Sequence, residues 1–295
     1  MISGVLTPSR GLLARLLAGV LALLGMSGVP AADQPALLLG VHPYLSHGEV
    51  YRRFKPFADY LAQRLGRRVE VRIGRDYDEH IREVGMDRLD IAYLGPVSYV
   101  KMTAAYGRKP LLACLERDGS SRLTGNIVVL KNSPLESVAD LRGRSFAFGD
   151  PASTMSSIVP QAMLAHSGVG LHELERYSHF QGHTNVALAV LTGEADAGAV
   201  KHEVFKKFET RGLRSLAVLP DVAEHVFVTR SDMPEAQVRR LRELLQHANQ
   251  DEQGLAALRA IHRKATALVP VSDQAYDSLR QMLESKRAGD GDQGS

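Results

Sequence analysis

Residues 150–160 have the sequence DPASTMSSIVP, which follows a short apolar strand at Ser145–Phe148 and leads into an apolar run from Ile158 to Leu164. The run is typical of a helix, so the stretch would form the start of that helix. A first helical turn leaves backbone N–H groups unpaired and carries partial positive charge. Serine and threonine cap such a turn, and they also donate hydrogen bonds to oxyanions. Because four hydroxyl residues within 153–157 exceed what capping needs, the stretch favours an anion-binding turn over an ordinary N-cap.

Strands and helices alternate before this stretch. Strands are predicted at Leu37–Val41, Val69–Ile73 and Asp90–Leu94, and helices over 54–65, 77–88 and 96–106. This βαβαβα order, with almost continuously apolar strands, predicts a parallel sheet with helices on both faces. Two more strands are predicted at Leu111–Leu115 and Ile127–Leu130, joined by a polar turn.

A second alternating unit begins at residue 145. Its predicted strands are 145–148, 176–180, 196–200, 213–219 and 226–229, and its predicted helices are 158–164, 184–191 and 202–208. The rest is predicted to be helical over 235–249, 254–263 and 273–286. A chain that crosses between two units near residues 125 and 226 would connect them by two strands. The fold class is therefore α/β, with two α/β domains joined by two crossing strands and a ligand cleft between them.

The N-terminus is typical of a targeting segment. Arg10 and Arg15 precede a short apolar run, Leu16 to Leu24, and Val29–Ala31 supplies the small residues that signal peptidase prefers. The run is too short to span a bilayer, so the pattern predicts a cleaved signal peptide and a periplasmic protein. The predicted domains are a signal peptide at 1–31, a discontinuous lobe 1 at 33–126 plus 229–286, a lobe 2 at 127–228 that includes hinge strands, and a disordered tail at 287–295.

Charge and cysteine content narrow the function classes. The formal net charge is +3, and removing the two arginines of residues 1–31 from the 36 bases leaves 34 bases against 33 acids. So small a positive charge gives no support for nucleic-acid binding. The single cysteine, Cys114, has no partner for an internal disulfide, so it is either a buried, inert thiol or a functional one. Its position in the apolar run 110–115 favours burial.

Several polar side chains fall at the predicted carboxyl ends of strands, where open α/β sheets bind ligands. Tyr44, Tyr93, the hydroxyl residues of 153–157 and the loop at His183 share this position, and we expect them to converge on one cleft. A ring N–H of His183 could donate to a phosphoryl oxygen, although an isolated histidine beside a turn more often lies on the surface. Glu203, at the start of a helix, either favours the helix dipole or points toward a ligand amine.

The ordered set of motifs resembles the PhnD-like family, the phosphate-, phosphite- and phosphonate-binding proteins of bacterial ABC importers. The resemblance spans most of residues 36–232 and is carried by the following segments: Gly40-Val41-x-Pro43-Tyr44; Phe54-x-Pro56-x-Ala58-x-Tyr60-Leu61; Asp90-x4-Gly95-Pro96-x2-Tyr99; Asp150-Pro151-x-Ser153-Thr154; His183-x4-Leu188-Ala189-Val190-x2-Gly193; and Asp196-Ala197-Gly198-Ala199. It implies a type II periplasmic binding protein that closes about a hinge over a small tetrahedral oxyanion.

The resemblance also implies which residues bind the ligand. Ser153 and Thr154 would hold the phosphoryl oxygens at the helix N-terminus, and His183, Tyr44 and Tyr93 would complete the shell, without a metal or cofactor. We add Ser156 from the same hydroxyl cluster, and Glu203 as the residue nearest a ligand amine.

Two departures from the family pattern bear on the ligand. Met155 stands where the family has a small polar residue. Of the two carboxylates that hold an aminophosphonate in the family, Glu203 matches one position and His225 falls at the other. We therefore expect a compact anion such as phosphate, phosphite, methylphosphonate or arsenate rather than 2-aminoethylphosphonate.

Two partner classes stay open. As an importer component, the protein would act as a monomer that delivers its ligand to an ABC permease in the inner membrane. As a sensor of arsenic-type oxyanions, it would present its closed form to a membrane histidine kinase, with Cys114 as a possible sensor thiol. An enzyme is disfavoured, because the sequence has no nucleophile elbow, no Gly-rich phosphate loop and no metal-ligand spacing among its 11 histidines.

Overall fold

The computed structural model describes Met1 and residues 34–291, with side chains as far as Glu284. Residues 2–31 of the predicted signal peptide and residues 292–295 of the predicted tail lie outside the described residues. Among the described helices, none combines the length and apolar character needed to cross a bilayer.

The strands in chain order are β1 (Leu37–Val41), β2 (Val69–Ile73), β3 (Ile91–Leu94), β4 (Leu111–Arg117), β5 (Arg122–Leu123), β6 (Gly125–Leu130), β7 (Ser145–Phe148), β8 (Arg176–His179), β9 (Ala197–Lys201), β10 (Leu213–Val218), β11 (Val222–Ala223), β12 (Val226–Thr229) and β13 (Ala265–Val269). The α-helices are α1 (His47–Leu65), α2 (Tyr77–Gly85), α3 (Pro96–Tyr106), α4 (Val159–His166), α5 (His183–Leu191), α6 (His202–Glu209), α7 (Glu235–Gln246), α8 (Glu252–Ile261) and α9 (Asp277–Gly291). The last helix extends into the predicted disordered tail.

The larger sheet has the strand order β13-β4-β12-β3-β1-β2. Strands β2, β1 and β3 are parallel, as predicted, but β12 is antiparallel to β3 and β4, and β13 is antiparallel to β4. The parallel order predicted from the first three strands therefore does not extend over the whole sheet, since β12 and β13 run opposite to β1. The prediction also missed β13, a short apolar run between two helices in a region interpreted as entirely helical.

The smaller sheet has the order β10-β6-β9-β7-β8. Strand β7 is parallel to β8 and β9, whereas β6 is antiparallel to β9 and β10. The chain passes between the two sheets at β5 and again at β11, and these two segments pair antiparallel as a short ribbon. This ribbon is the pair of crossing strands that the sequence predicts near residues 125 and 226, displaced by a few residues. Strand β12 itself belongs to the larger sheet. The predicted bounds of lobe 1 and lobe 2 stay a prediction.

Helix α1 illustrates how the large lobe is built. Ser46 caps it by accepting from the N–H of Glu49, and Gly66 ends it in the left-handed conformation that glycine adopts most easily. Phe54 and Phe57 are fully buried on the face of α1 that packs against the sheet. The helix begins seven residues earlier than its apolar spacing indicates. The spacing does not reveal its first turns (47–53), because they are mostly polar.

Candidate functional site

A cleft of about 1030 Å³ opens where the carboxyl ends of β1 and β3 in one lobe face those of β7, β8 and β9 in the other. Loops after these strands supply its walls, as expected for a ligand site in α/β sheets. The predicted residues Tyr44, Ser153, Thr154, Ser156, His183 and Glu203 all line this cleft. Tyr93 lies one layer deeper and lines a cavity of about 30 Å³ beside it.

The hydroxyl stretch forms a π-helical turn, Thr154–Ile158, that continues into α4. The N–H of Val159 bonds the carbonyl of Thr154, one residue beyond α-helical spacing. Pro160 has no N–H to offer the carbonyl of Ser156, which accepts instead from the N–H of Gly149 at 2.8 Å. A side chain at Gly149 would meet Ser156 Oγ at 1.9 Å, so the close approach requires glycine.

The hydroxyl groups of this turn are ordered by one another. Ser156 Oγ donates to Ser153 Oγ at 2.8 Å, which leaves the Ser153 proton free to point outward. Thr154 Oγ1 accepts from the N–H of Val97 at 3.4 Å, so it lies against the first turn of α3 in the opposite lobe. Ser157 Oγ donates to the carbonyl of Gly149 at 3.0 Å and serves the turn itself. The turn therefore presents hydroxyl and backbone donors to the cleft.

His183 begins α5 directly after Gly182, whose φ of 78° is in the left-handed region. The Nδ1 of His183 accepts from the N–H of Lys201 at 3.2 Å, which places the ring proton on Nε2. Burial lowers the pKa of His183 to about 3, and the charge of Lys201 adds to the effect. The ring is thus neutral at neutral pH, with its Nε2–H available as a hydrogen-bond donor.

A layer of aromatic rings supports the wall from the larger lobe. The rings of His42, Tyr93 and His225 lie near-parallel at centroid distances of 5.1–5.7 Å. The carbonyl of Tyr93 accepts from His42 Nδ1 at 3.3 Å and from His80 Nε2 at 3.1 Å. Burial is the main reason why the pKa of both histidines is lowered. In His80 the pKa falls to about 4. Burial also raises the pKa of the Tyr44 hydroxyl to about 12, so Tyr44 stays a donor.

Beside the hydroxyl turn lies a set of charged residues that we call the ionic cluster: Arg117, Lys201, Glu203, Glu224 and His262. Arg117 pairs with Glu224 and, at 3.2 Å, with Glu203. His262 Nε2 contacts Glu203 Oε2 at 3.1 Å. Burial alone would raise the pKa of Glu203, but its bond to His262 and the nearby cations lower it to about 2.

Most of the ionic cluster was not predicted from the sequence. Glu203 was expected to favour the helix dipole or to face a ligand amine, whereas in the structure its Oε2 accepts from Arg117 and His262. Lys201, which lines the cleft, was not among the predicted site residues. The members come from β4, β9, α6, the segment before β12 and the end of α8, so no short motif contains them. The lysine that ends the apolar strand β9 was the signal available in the sequence.

Met155 and Cys114 have structural surroundings. Met155 is fully buried and packs into the core, so its bulk is turned largely away from the cleft it borders.

Cys114 is 1% exposed in β4, as its apolar context predicted. Burial raises the pKa of its thiol to about 12, with a further contribution from Glu224. The sensor interpretation, for which Cys114 was the possible sensor thiol, receives no support. Within residues 34–284, no group of histidine, cysteine and acidic side chains is arranged to hold a metal.

Comparison with known proteins agrees with this geometry. The family described as "ABC transporter, phosphonate, periplasmic substrate-binding protein" matches residues 39–276. The phosphate-import protein PhnD of Mycolicibacterium smegmatis is 24% identical over 273 residues, which cover 84% of this chain and 85% of that protein. The phosphonates-binding periplasmic protein of Escherichia coli is 25% identical over 192 residues, which cover 63% of this chain and 56% of that protein.

Solved structures show the same fold. A Prochlorococcus marinus PhnD1 in complex with methylphosphonate superposes with a TM-score of 0.73 at 19% identity, covering 85% of this chain and 98% of that chain. A Xanthomonas citri protein bound to ATP superposes with a TM-score of 0.76 at 22% identity, covering 86% and 99%. These likenesses confirm the predicted fold, a two-lobed type II periplasmic binding protein.

Proposed function

The chain belongs to the family of periplasmic substrate-binding proteins of phosphonate ABC transporters, and from that premise we propose that it captures a small phosphorus oxyanion and delivers it to a membrane permease. The observation that carries the proposal is the convergence of Ser153, Thr154 and His183 in one cleft between two lobes. Neutral N–H and O–H donors suit an anion, because hydrogen bonds to a charged acceptor are stronger than neutral ones. The ligand class is phosphonate, phosphite or phosphate.

The hinge supports a transport cycle. Only the β5–β11 ribbon and its flanking residues connect the sheets covalently, so a few residues could absorb the rotation that closes the lobes. The protein acts as a monomer, is exported through its signal peptide, carries no cofactor and performs no catalysis. Closed lobes with a bound anion would be the form that the permease recognises. Small-angle scattering with saturating methylphosphonate should show a smaller radius of gyration than the ligand-free protein.

Isothermal titration tests ligand and site together. Protein purified from the periplasmic fraction is titrated with phosphate, phosphite and methylphosphonate. At least one should bind, and His183→Ala should weaken that binding by tenfold or more, because the lost bond is made to a charged ligand. His166→Ala, which removes an exposed histidine at the end of α4, should leave the affinity unchanged. If folded protein binds none of the three anions, the proposal is wrong.

A further inference from the structure

The cleft has an excess of positive charge. Two acidic residues, Asp150 and Glu203, line it, against six basic ones: Arg53, Lys201, Lys206, Lys207, Arg263 and Lys264. The chain without residues 1–31 is almost neutral, so this positive charge is concentrated at the cleft. A cleft lined by one sign of charge attracts ligands of the opposite sign. The hydroxyl turn and His183 supply the donors for one anionic group of a ligand. The six basic residues are not among those donors.

Lys201 differs from the other basic residues of the cleft because it lies at its floor. Its backbone N–H bonds His183, so the side chain begins next to the oxyanion donors. The side chain lines both the large cleft and the cavity of about 30 Å³. At the rim, by contrast, Lys264 pairs with Asp118 at 2.5 Å and Lys206 pairs with Glu209.

A comparison with Lys109 shows what Lys201 lacks. Lys109 is buried whereas Lys201 is half-buried, and the Lys109 ammonium donates to the carbonyl of Gly85, to Asp87 and to Ser231 at 2.7–3.0 Å. All three of its protons thus have acceptors. Within the described residues, the ammonium of Lys201 has no hydrogen-bond acceptor. The ammonium of Lys201 lines the cleft with all its protons available, so it is placed to meet an acceptor that comes from outside the chain.

The nearby carboxylates do not fill this role. Glu224 is engaged by Arg117 and His225, and Glu203 Oε2 accepts from Arg117 and His262. The Nε of Arg117 is itself a buried donor without a hydrogen-bond partner among the described residues, and Glu224 Oε2, the ion-pair partner of the same guanidinium, is a buried acceptor without one. Two unused cationic donors therefore border the small cavity, next to the site for the phosphoryl group.

We propose that Lys201 forms a second anion subsite, which binds an acidic group carried by the ligand beyond its phosphoryl head. The inference rests on the proposed function and refines its ligand class to phosphonates or phosphate esters with a second anionic group, such as a carboxylate. A ligand with an ammonium group in the same place would be repelled by Lys201.

Three ligands with the same head group test the subsite in isothermal titrations at fixed salt: methylphosphonate, phosphonoacetate and 2-aminoethylphosphonate. The native protein should bind phosphonoacetate at least about tenfold more tightly than the other two. Lys201→Met should abolish this preference, because it should weaken phosphonoacetate binding about tenfold more than methylphosphonate binding. Lys201→Arg should retain the preference. Lys131→Met, which removes an exposed lysine outside the cleft lining, should bind all three ligands like the native protein.

The outcomes separate the two proposals. If methylphosphonate binds but phosphonoacetate binds no tighter than 2-aminoethylphosphonate, the second subsite is wrong and the proposed function stands. An unchanged preference in Lys201→Met would also refute the subsite. If neither methylphosphonate nor phosphonoacetate binds to folded native protein, the proposed function fails, and the subsite with it. The comparison among native-protein affinities remains decisive even if Lys201→Met does not fold.

Discussion

The hydroxyl turn and the ionic cluster lie side by side in the cleft, but they are built in opposite ways. The hydroxyl turn is local: residues 153–157 supply it, and its donors are neutral. The ionic cluster is assembled from distant segments, and it bridges the lobes, since Glu203 in α6 contacts Arg117 in β4. The turn keeps unused donors, whereas most charges of the cluster already have partners. We infer that the turn serves mainly ligand binding and the cluster mainly stability.

Removing Arg117 should give the largest effect on stability. Arg117→Met leaves the buried carboxylate of Glu224 without its guanidinium partner, and breaking a buried pair in this way costs about 3–5 kcal/mol. We expect the free energy of unfolding, measured in urea at pH 7.5, to fall by that amount. The matched variant Arg122→Met, which breaks a half-exposed pair with Asp221, should cost less than about 1 kcal/mol. Similar losses in both variants would mean that the cluster has no special structural role.

Acid should destabilise the protein through its buried histidines. The unfolded state takes up a proton on His80 near its ordinary pKa of 6.5, while the folded state stays neutral down to about 4. The free energy of unfolding therefore falls as pH drops from 6.5 to 4, by up to about 3 kcal/mol for this residue. His80→Gln should reduce the slope of stability against pH in that range. His47→Gln, at an exposed position, should leave the slope as it is in the native protein.

The same contrast explains what the sequence could predict. The position of the hydroxyl turn at the cleft was predictable because its residues are contiguous and follow a strand. Tyr44 and His183 were predictable because both follow strands whose carboxyl ends meet. The ionic cluster was not, because Arg117 and His262 come from strands or helices 145 residues apart, and no local pattern indicates which charged residues face each other. The antiparallel strands β12 and β13 were difficult for a similar reason, since pairing direction depends on where the chain returns.

Within the hydroxyl turn, Ser153 should matter more than its neighbours for binding. Its proton is the one left free by the bond from Ser156, so it is the hydroxyl best placed to donate to a ligand oxygen. We expect Ser153→Ala to weaken methylphosphonate binding by about tenfold, with unfolding free energy changed by less than about 1 kcal/mol. The control is Ser167→Ala, at the end of α4. A large loss of stability in Ser153→Ala without loss of affinity would reverse the roles assigned to the two regions.

The smallest effect is expected at Cys114, which lies in the same strand as Arg117 but outside the cleft lining. The thiol is 1% exposed, and its raised pKa of about 12 leaves almost no thiolate at neutral pH. Ellman's reagent should therefore modify the native protein at least about a hundredfold more slowly than the urea-unfolded chain. Cys114→Ala should bind methylphosphonate with a dissociation constant within about twofold of the native value, since no contact of the cleft is removed. Two outcomes would instead make β4 part of a ligand site. One is rapid modification of the native thiol, and the other is arsenite binding that disappears in Cys114→Ala.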